Sequence, residues 1–164
     1  MSVFRISAGD AHITVETWAN WASFDDTLPP ARALWCDLAD AIQAPGPGPS
    51  PASGIFELQR LRIQNGHGAD GAELLAKDAA AWEEAGAAVI GSFRVVHGDD
   101  LPACLLLLGW PSLGMALDAQ PRVERDAGST ERRRLAREAS GIAVMRGCRR
   151  VFRPGLVFVS GSAP

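Results

Sequence analysis

The sequence predicts an α+β fold, with its elements in the order β-α-β-β-α-β, preceded by a shorter copy of part of the same plan. Three observations predict it. Between residues 55 and 154 the apolar residues recur first at every second position, then at helical spacing, then at every second position again. A signature of Phe, Arg, Gly and Asp occurs twice, in FRISAGD at 4–10 and in FRVVHGD at 93–99. The Pro-rich stretch APGPGPSPAS at 44–53 separates the two copies.

The repeat extends beyond the signature. Without a gap, residues 4–37 align with 93–126, and Trp21 meets Trp110, Ser23 meets Ser112, Leu28 meets Leu117 and Asp37 meets Asp126. The period is too long for a solenoid unit and suits a duplicated small domain. In the first copy, MSVFRISAGD and AHITVETW read as strands, and WASFDDTLPPARALWCDLADAIQ reads as a helix ending near residue 43. The segment 44–53 is a tether, extended at roughly 3 Å per residue and reaching about 30 Å.

The second copy runs from 54 to 154. IFELQRLRIQ (55–64) alternates, with Glu57, Gln59, Leu61 and Ile63 on one side and Phe56, Leu58, Arg60 and Arg62 on the other. NGHG (65–68) is a turn. In ADGAELLAKDAAAWEEAG (69–86), Ala72, Leu75, Ala79 and Trp82 share one helical face, Asp70 stands at the start and Gly86 at the C-cap. AVIGSFRVVH (88–97) and ACLLLLGW (103–110) form a hairpin, and the unbroken apolar run of its second strand implies burial on both faces. Arg-rich helical sequence follows from 112 to 142, and GCRRVFRP (147–154) is a last strand before a tail at 155–164. This order is the ferredoxin-like plan.

FELQRLRIQNGHG, VIGSFRVVHGD and LLLLGWPSLGMAL together resemble the NIPSNAP domain over residues 55–153. Phe56, Gln59 and Leu61 stand where that family usually carries tyrosines and an arginine. The resemblance implies a dimeric α/β barrel, in which two ferredoxin-like sheets close face to face. It also implies a superfamily that includes cofactor-free monooxygenases, dehydratase-like and haem-handling enzymes, and proteins of no known activity. The first copy then stands in for a partner subunit and lacks its β1–α1 half. Unpaired strand edges left by that trimming predict a homo-oligomer, a dimer foremost, or a longer natural N-terminus.

Composition narrows the function classes. A net charge of −3 gives no global attraction to nucleic acid or an acidic membrane, and the absence of tyrosine excludes phenol catalysis. Lys77 is the one lysine, and with the Ala, Gly and Pro content this suits a GC-rich bacterial genome. Cys36, Cys104 and Cys148 form no ligand-spaced pair, which suits reduced thiols in a cytoplasm. No signal peptide opens the chain, and 103–110 is far too short to span a bilayer. Residues 122–153 carry ten arginines against four acids, whereas 1–54 carry six acids and two arginines. Without aromatic interleaving, this asymmetry reads as the acidic first copy docking on the basic C-terminal helix, not as a nucleic-acid patch. No phosphate loop, HExxH, GxSxG or metal-ligand spacing occurs, so neither cofactor nor metal is expected.

The candidate site residues are few. Glu57, a carboxylate on a strand face that becomes covered, must be paired or protonated, and His97 has the pKa range of a general base; both are candidates for proton handling. Arg94 alternates with Phe93 and Val95 and points off the apolar face. It is either one half of an ion pair with Asp99 or Glu57, or a clamp for a ligand oxyanion. Gln59 beside Glu57 and Trp110 at the end of its strand are candidates for ligand contact, although Trp110 also suits the core. His67 reads as loop surface. Two functions follow: a protein, catalytic or not, gripping a small hydrophobic carbonyl-bearing molecule, or a non-catalytic assembly module.

Overall fold

The computed structural model describes residues 2–20, 35–43, 54–125 and 145–160. Its elements are β1 (Val3–Ala8), β2 (His12–Trp18), β3 (Trp35–Gln43), β4 (Ile55–Ile63), α1 (Gly68–Glu84), β5 (Ala88–His97), β6 (Ala103–Trp110), α2 (Leu113–Arg125), β7 (Met145–Arg153) and β8 (Gly155–Ser160). Alternation at 55–63 and helical spacing at 68–84 fall where the sequence puts them. Leu75, Ala79 and Trp82 are buried on the inner face of α1. Asp70 contacts His67 Nδ1 at 2.8 Å, and the N-cap position, His67, makes no side-chain cap bond. At the far end Gly86 adopts φ +101 and its N–H bonds the Glu83 carbonyl at 3.0 Å, closing the helix as its residue type allows.

One eight-stranded sheet joins both copies, in the order β7-β4-β6-β5-β3-β1-β2-β8. Its first four strands have the ferredoxin-like order and are antiparallel throughout. The two hairpins carrying the repeated signature, β1–β2 and β5–β6, lie on either side of β3 and bond to it through their first strands. β8 lies beside β2 as β4 lies beside β6, but parallel to its neighbour instead of antiparallel. It therefore occupies the place of the missing first strand.

Two expectations are corrected. Residues 35–43 belong to the predicted helix and form strand β3 instead. Trp35, Leu38 and Ile42 fall at helical spacing, but β1 and β5 each present a strand edge that only a third strand can satisfy. A ladder on both sides outweighs a weak local preference. Residues 155–160, read as tail, form β8, and Val157, Phe158 and Val159 are good strand formers. Of the helix expected over 112–142, Leu113–Arg125 is helical; the remainder, like the tether 44–53 and residues 21–34, lies outside the described residues.

β7 and β8 stand at opposite ends of the sheet, yet only Pro154 separates them in the chain. The sheet must therefore curl until its ends meet. Gly155 N–H bonds the Ala11 carbonyl at 3.2 Å, and Arg153 Nε donates to the Gly9 carbonyl across the seam. Inside this barrel one apolar cluster draws on every strand: Phe4, Ile13, Ala39, Leu58, Phe93, Leu105 and Val151, with Leu156 packed against it. A second cluster fills the outer face under α1 and α2, from Leu61, Leu106 and Leu108 to Trp82 and Ala119. All of β6 is buried, as its continuous apolar run predicts.

The next inward position after Phe56 and Leu58 is Arg60. Its Nε donates to Asp37 Oδ2 at 2.8 Å, and its Nη2 donates to the Asp99 carbonyl. This buried pair ties β4 to β3, the complete copy to the partial one. Gly98 is required beside it, because a Cβ there would overlap Asp37 Oδ1.

Candidate functional site

The site is built on the outer face of β4, where alternation turns Glu57 and Gln59 toward the helices. Across the ladder to β7, Gln59 stands opposite Arg150 and Glu57 opposite Phe152. On the other side β6 ends in Trp110, which stands opposite Ile55. Glu57 has no solvent exposure. Its Oε1 accepts from Gln59 Nε2 at 2.8 Å and from Arg150 Nε, and its Oε2 accepts from Trp110 Nε1 at 2.8 Å. Three donors, one of them a guanidinium, hold the buried carboxyl group in place, as burial of so polar a group requires.

The helices complete the enclosure. Trp82 of α1 meets Trp110 edge to face, with centroids 6.0 Å apart and planes at 88°. The Arg150 guanidinium lies 5.4 Å from the Trp82 centroid and 5.2 Å from that of Phe152. Its Nη1 donates to Gln120 Oε1 of α2. Its Nη2 is buried and has no hydrogen-bond partner. The arrangement is a guanidinium fixed on two sides among aromatic rings, with the Nη2 nitrogen left over.

Three of the five residues singled out in the sequence, Glu57, Gln59 and Trp110, thus come together. Arg94 and His97 do not join them. Arg94 lies on the outer face of β5, more than half exposed, and its Nη2 donates to Asp40 Oδ2 at 3.2 Å. The expected partners were Asp99 or Glu57; strand β3 puts Asp40 directly opposite Arg94 instead. His97 is exposed at the end of β5. Trp21 lies outside the described residues, and the equivalent hairpin strand β2 ends on Trp18. Trp18 packs under the Arg5 guanidinium at 5.2 Å, and Arg5 also pairs with Glu16.

Sequence reading missed Arg150, Gln120, Trp82 as a site wall, and the pair Arg60–Asp37. A signal for Arg150 exists in the alternation of RVF at 150–152, whose outer positions are Arg and Phe. Neither Cys36 nor Cys104 offers a ready nucleophile at neutral pH. Burial pushes Cys104 up to about 11 against the opposing pull of Arg94, and burial likewise raises Cys36 against the pull of Arg5. Among the described residues no three His, Cys, Asp or Glu side chains are grouped to hold a metal ion, and no helix is long and apolar enough to cross a membrane.

No protein-family model matches the chain, and no curated protein is similar to it. Solved structures are similar. A putative monooxygenase from Fusobacterium nucleatum aligns over 92% of this chain and 73% of its own, at 8% identity and a TM-score of 0.51. A NIPSNAP family protein of unknown function from Agrobacterium tumefaciens aligns over 68% of this chain and 91% of its own, at 12% identity and a TM-score of 0.49. An uncharacterised NIPSNAP-like domain protein from Burkholderia xenovorans covers 60% and 82%, at 14% identity and a TM-score of 0.49. At 8% identity the likeness to the Fusobacterium protein is one of fold alone, an α+β architecture that carries nearly the whole of this chain.

Proposed function

We propose that this chain is a NIPSNAP-like protein that binds a small, largely apolar molecule through one of its oxygen atoms, at Arg150 between the sheet and helices α1 and α2. One observation carries the reading: Arg150 Nη2 is buried without a partner, while Nε and Nη1 are fixed on Glu57 and Gln120. An open buried donor costs about 1–3 kcal/mol, and more for a charged group, which an incoming carbonyl oxygen recovers. Glu57 already balances the charge of Arg150, so a neutral carbonyl suits the position better than a carboxylate. Trp82, Phe152 and Trp110 supply apolar contact for the rest of such a ligand.

In this reading Glu57 orients Arg150 and Trp110. Its two oxygens are engaged by three hydrogen bonds. Cofactor-independent turnover is the finer form of the proposal. It needs a base from elsewhere or the release of one of those three donors, since His97 stands apart on β5.

The test is native mass spectrometry of freshly purified protein beside Arg150→Met, with circular dichroism confirming that the variant is folded. A ligand mass retained by the wild type and absent from the variant supports the proposal. Equal retention in both contradicts it. So does a wild type that carries nothing and shows no thermal shift with a panel of aryl ketones.

A second reading, a homo-oligomeric assembly module, has its own observation. Val157, Phe158 and Val159 are each about two-fifths exposed (41%, 38% and 41%) on β8, an uncharged strand at the end of the sheet. Such strands pair with copies of themselves. Light scattering is expected to give a dimer mass that Phe158→Lys reduces to a monomer; a monomeric wild type removes this reading.

A further inference from the structure

We propose that Asp40 and Arg94 form a second receptor, for a neutral carboxamide, on the outer face of the sheet where the two repeated hairpins meet at β3. The register draws a straight row across that face: Trp18, Val3, Asp40, Arg94 and Cys104 stand opposite one another in turn through β2, β1, β3, β5 and β6. The Asp40 side chain is only 7% exposed, and its two oxygens are treated unequally. Oδ2 accepts from Arg94 Nη2 at 3.2 Å, whereas Oδ1 is buried with no partner. A carboxylate oxygen without a donor is a costly thing to bury. Arg94 is the opposite case. Its side chain is 57% exposed and the bond to Asp40 is its one hydrogen bond among the described residues, so its remaining donors face water.

The pair therefore offers an open acceptor beside open donors, with charges that cancel. A ligand group that fills both must itself present a donor next to an acceptor. A carboxylate brings its charge against Asp40, and an ammonium brings its charge against Arg94. A carboxamide has N–H and C=O on adjacent atoms and no net charge, so it meets both without either penalty. Leu38, Ile42 and Val96, on the same face of β3 and β5, are partly exposed and offer apolar contact to a short aliphatic chain. One hydrogen bond of 3.2 Å to Oδ2 is a light hold on the exposed, flexible Arg94 side chain, and the ligand enters as Arg94 pivots.

The experiment is a titration of the full chain with valeramide followed by amide NMR, with valerate and pentylamine as ionic controls. Saturable shifts at Val3, Leu38, Asp40 and Arg94 are expected with valeramide alone. Asp40→Asn keeps the shape and can turn a donor where the open acceptor was, and exposed Arg94→Met removes the guanidinium; each is expected to weaken binding by about tenfold or more. Arg150→Met is expected to leave it unchanged, which separates this receptor from the site at Arg150. Absence of saturable shifts, equal affinity in both variants, or equal binding of valerate overturns the proposal.

Discussion

Glu57 is held by three donors, and that number decides what a substitution does. Glu57→Gln keeps the volume but turns an amide toward Gln59 and Arg150, leaving the guanidinium buried without its counter-charge. Breaking one side of a buried pair costs about 3–5 kcal/mol, so urea denaturation is expected to show a loss in that range with the m-value unchanged. Gly98→Ala is expected to cost a comparable amount, about 3 kcal/mol, because its Cβ displaces Asp37 from Arg60. Cys104 makes a prediction in pH. Its thiol ionises near 9.0 when unfolded and near 11 when folded, so the folded form is favoured below pH 9 and that advantage disappears as pH rises toward 11. With no tyrosine to titrate in the same window, wild-type stability is expected to fall between pH 9 and 11 by up to about 3 kcal/mol. Cys104→Ala is expected to flatten that limb of the melting curve, leaving the smaller share from Cys36. At this scale much was legible. Alternation along 55–64 puts Glu57 and Gln59 on one face, and the end of an apolar strand singles out Trp110. Arg150 and Gln120 were not legible, because which residue of β7 stands opposite Gln59, and which turn of α2 lies above it, are facts of tertiary register.

Among the elements, β3 separates what local pattern specifies from what neighbours impose. Trp35, Leu38 and Ile42 spell a helix, yet the segment is a strand bonded on both sides. The same substitution distinguishes the two states by sign. Ala41→Thr, at an exposed position of β3, is expected to raise the melting temperature, since β-branched residues favour strands on a scale of about 1 kcal/mol. In a helix the same change would cost about 0.5 kcal/mol and lower the melting temperature. The misreading had a consequence at the residue scale: with 35–43 taken as helix, Asp40 could not be recognised as the partner of Arg94. β8 teaches the reverse lesson. GLVFVS has strand propensity, but a tail of six residues acquires a structure only because β2 offers it an edge. The complete copy needed no such help. Its helix, hairpin and final strand were legible because each carries its own period and its own turn residues.

At the scale of the molecule, the repeat is the organising fact. Two hairpins with the same Phe-Arg and Gly-Asp residues flank β3, and the chain passes from β7 directly into β8, bringing the two ends of the sheet together. One chain thereby encloses an apolar interior drawn from all eight strands. That interior is packed with side chains such as Phe4, Phe93 and Leu105, which leaves the helix-covered face of β4 and β6 as the place where polar groups converge. The location of the candidate site thus depends on the chain acting as its own partner. The measurement that tests this most directly is an isotope-filtered NOE experiment on a one-to-one mixture of labelled and unlabelled protein. The account predicts that contacts between Ala39 and Val95, and between Ile13 and Leu156, occur only within single molecules. Either contact appearing between a labelled and an unlabelled chain would contradict it, because the barrel would then be built by two chains.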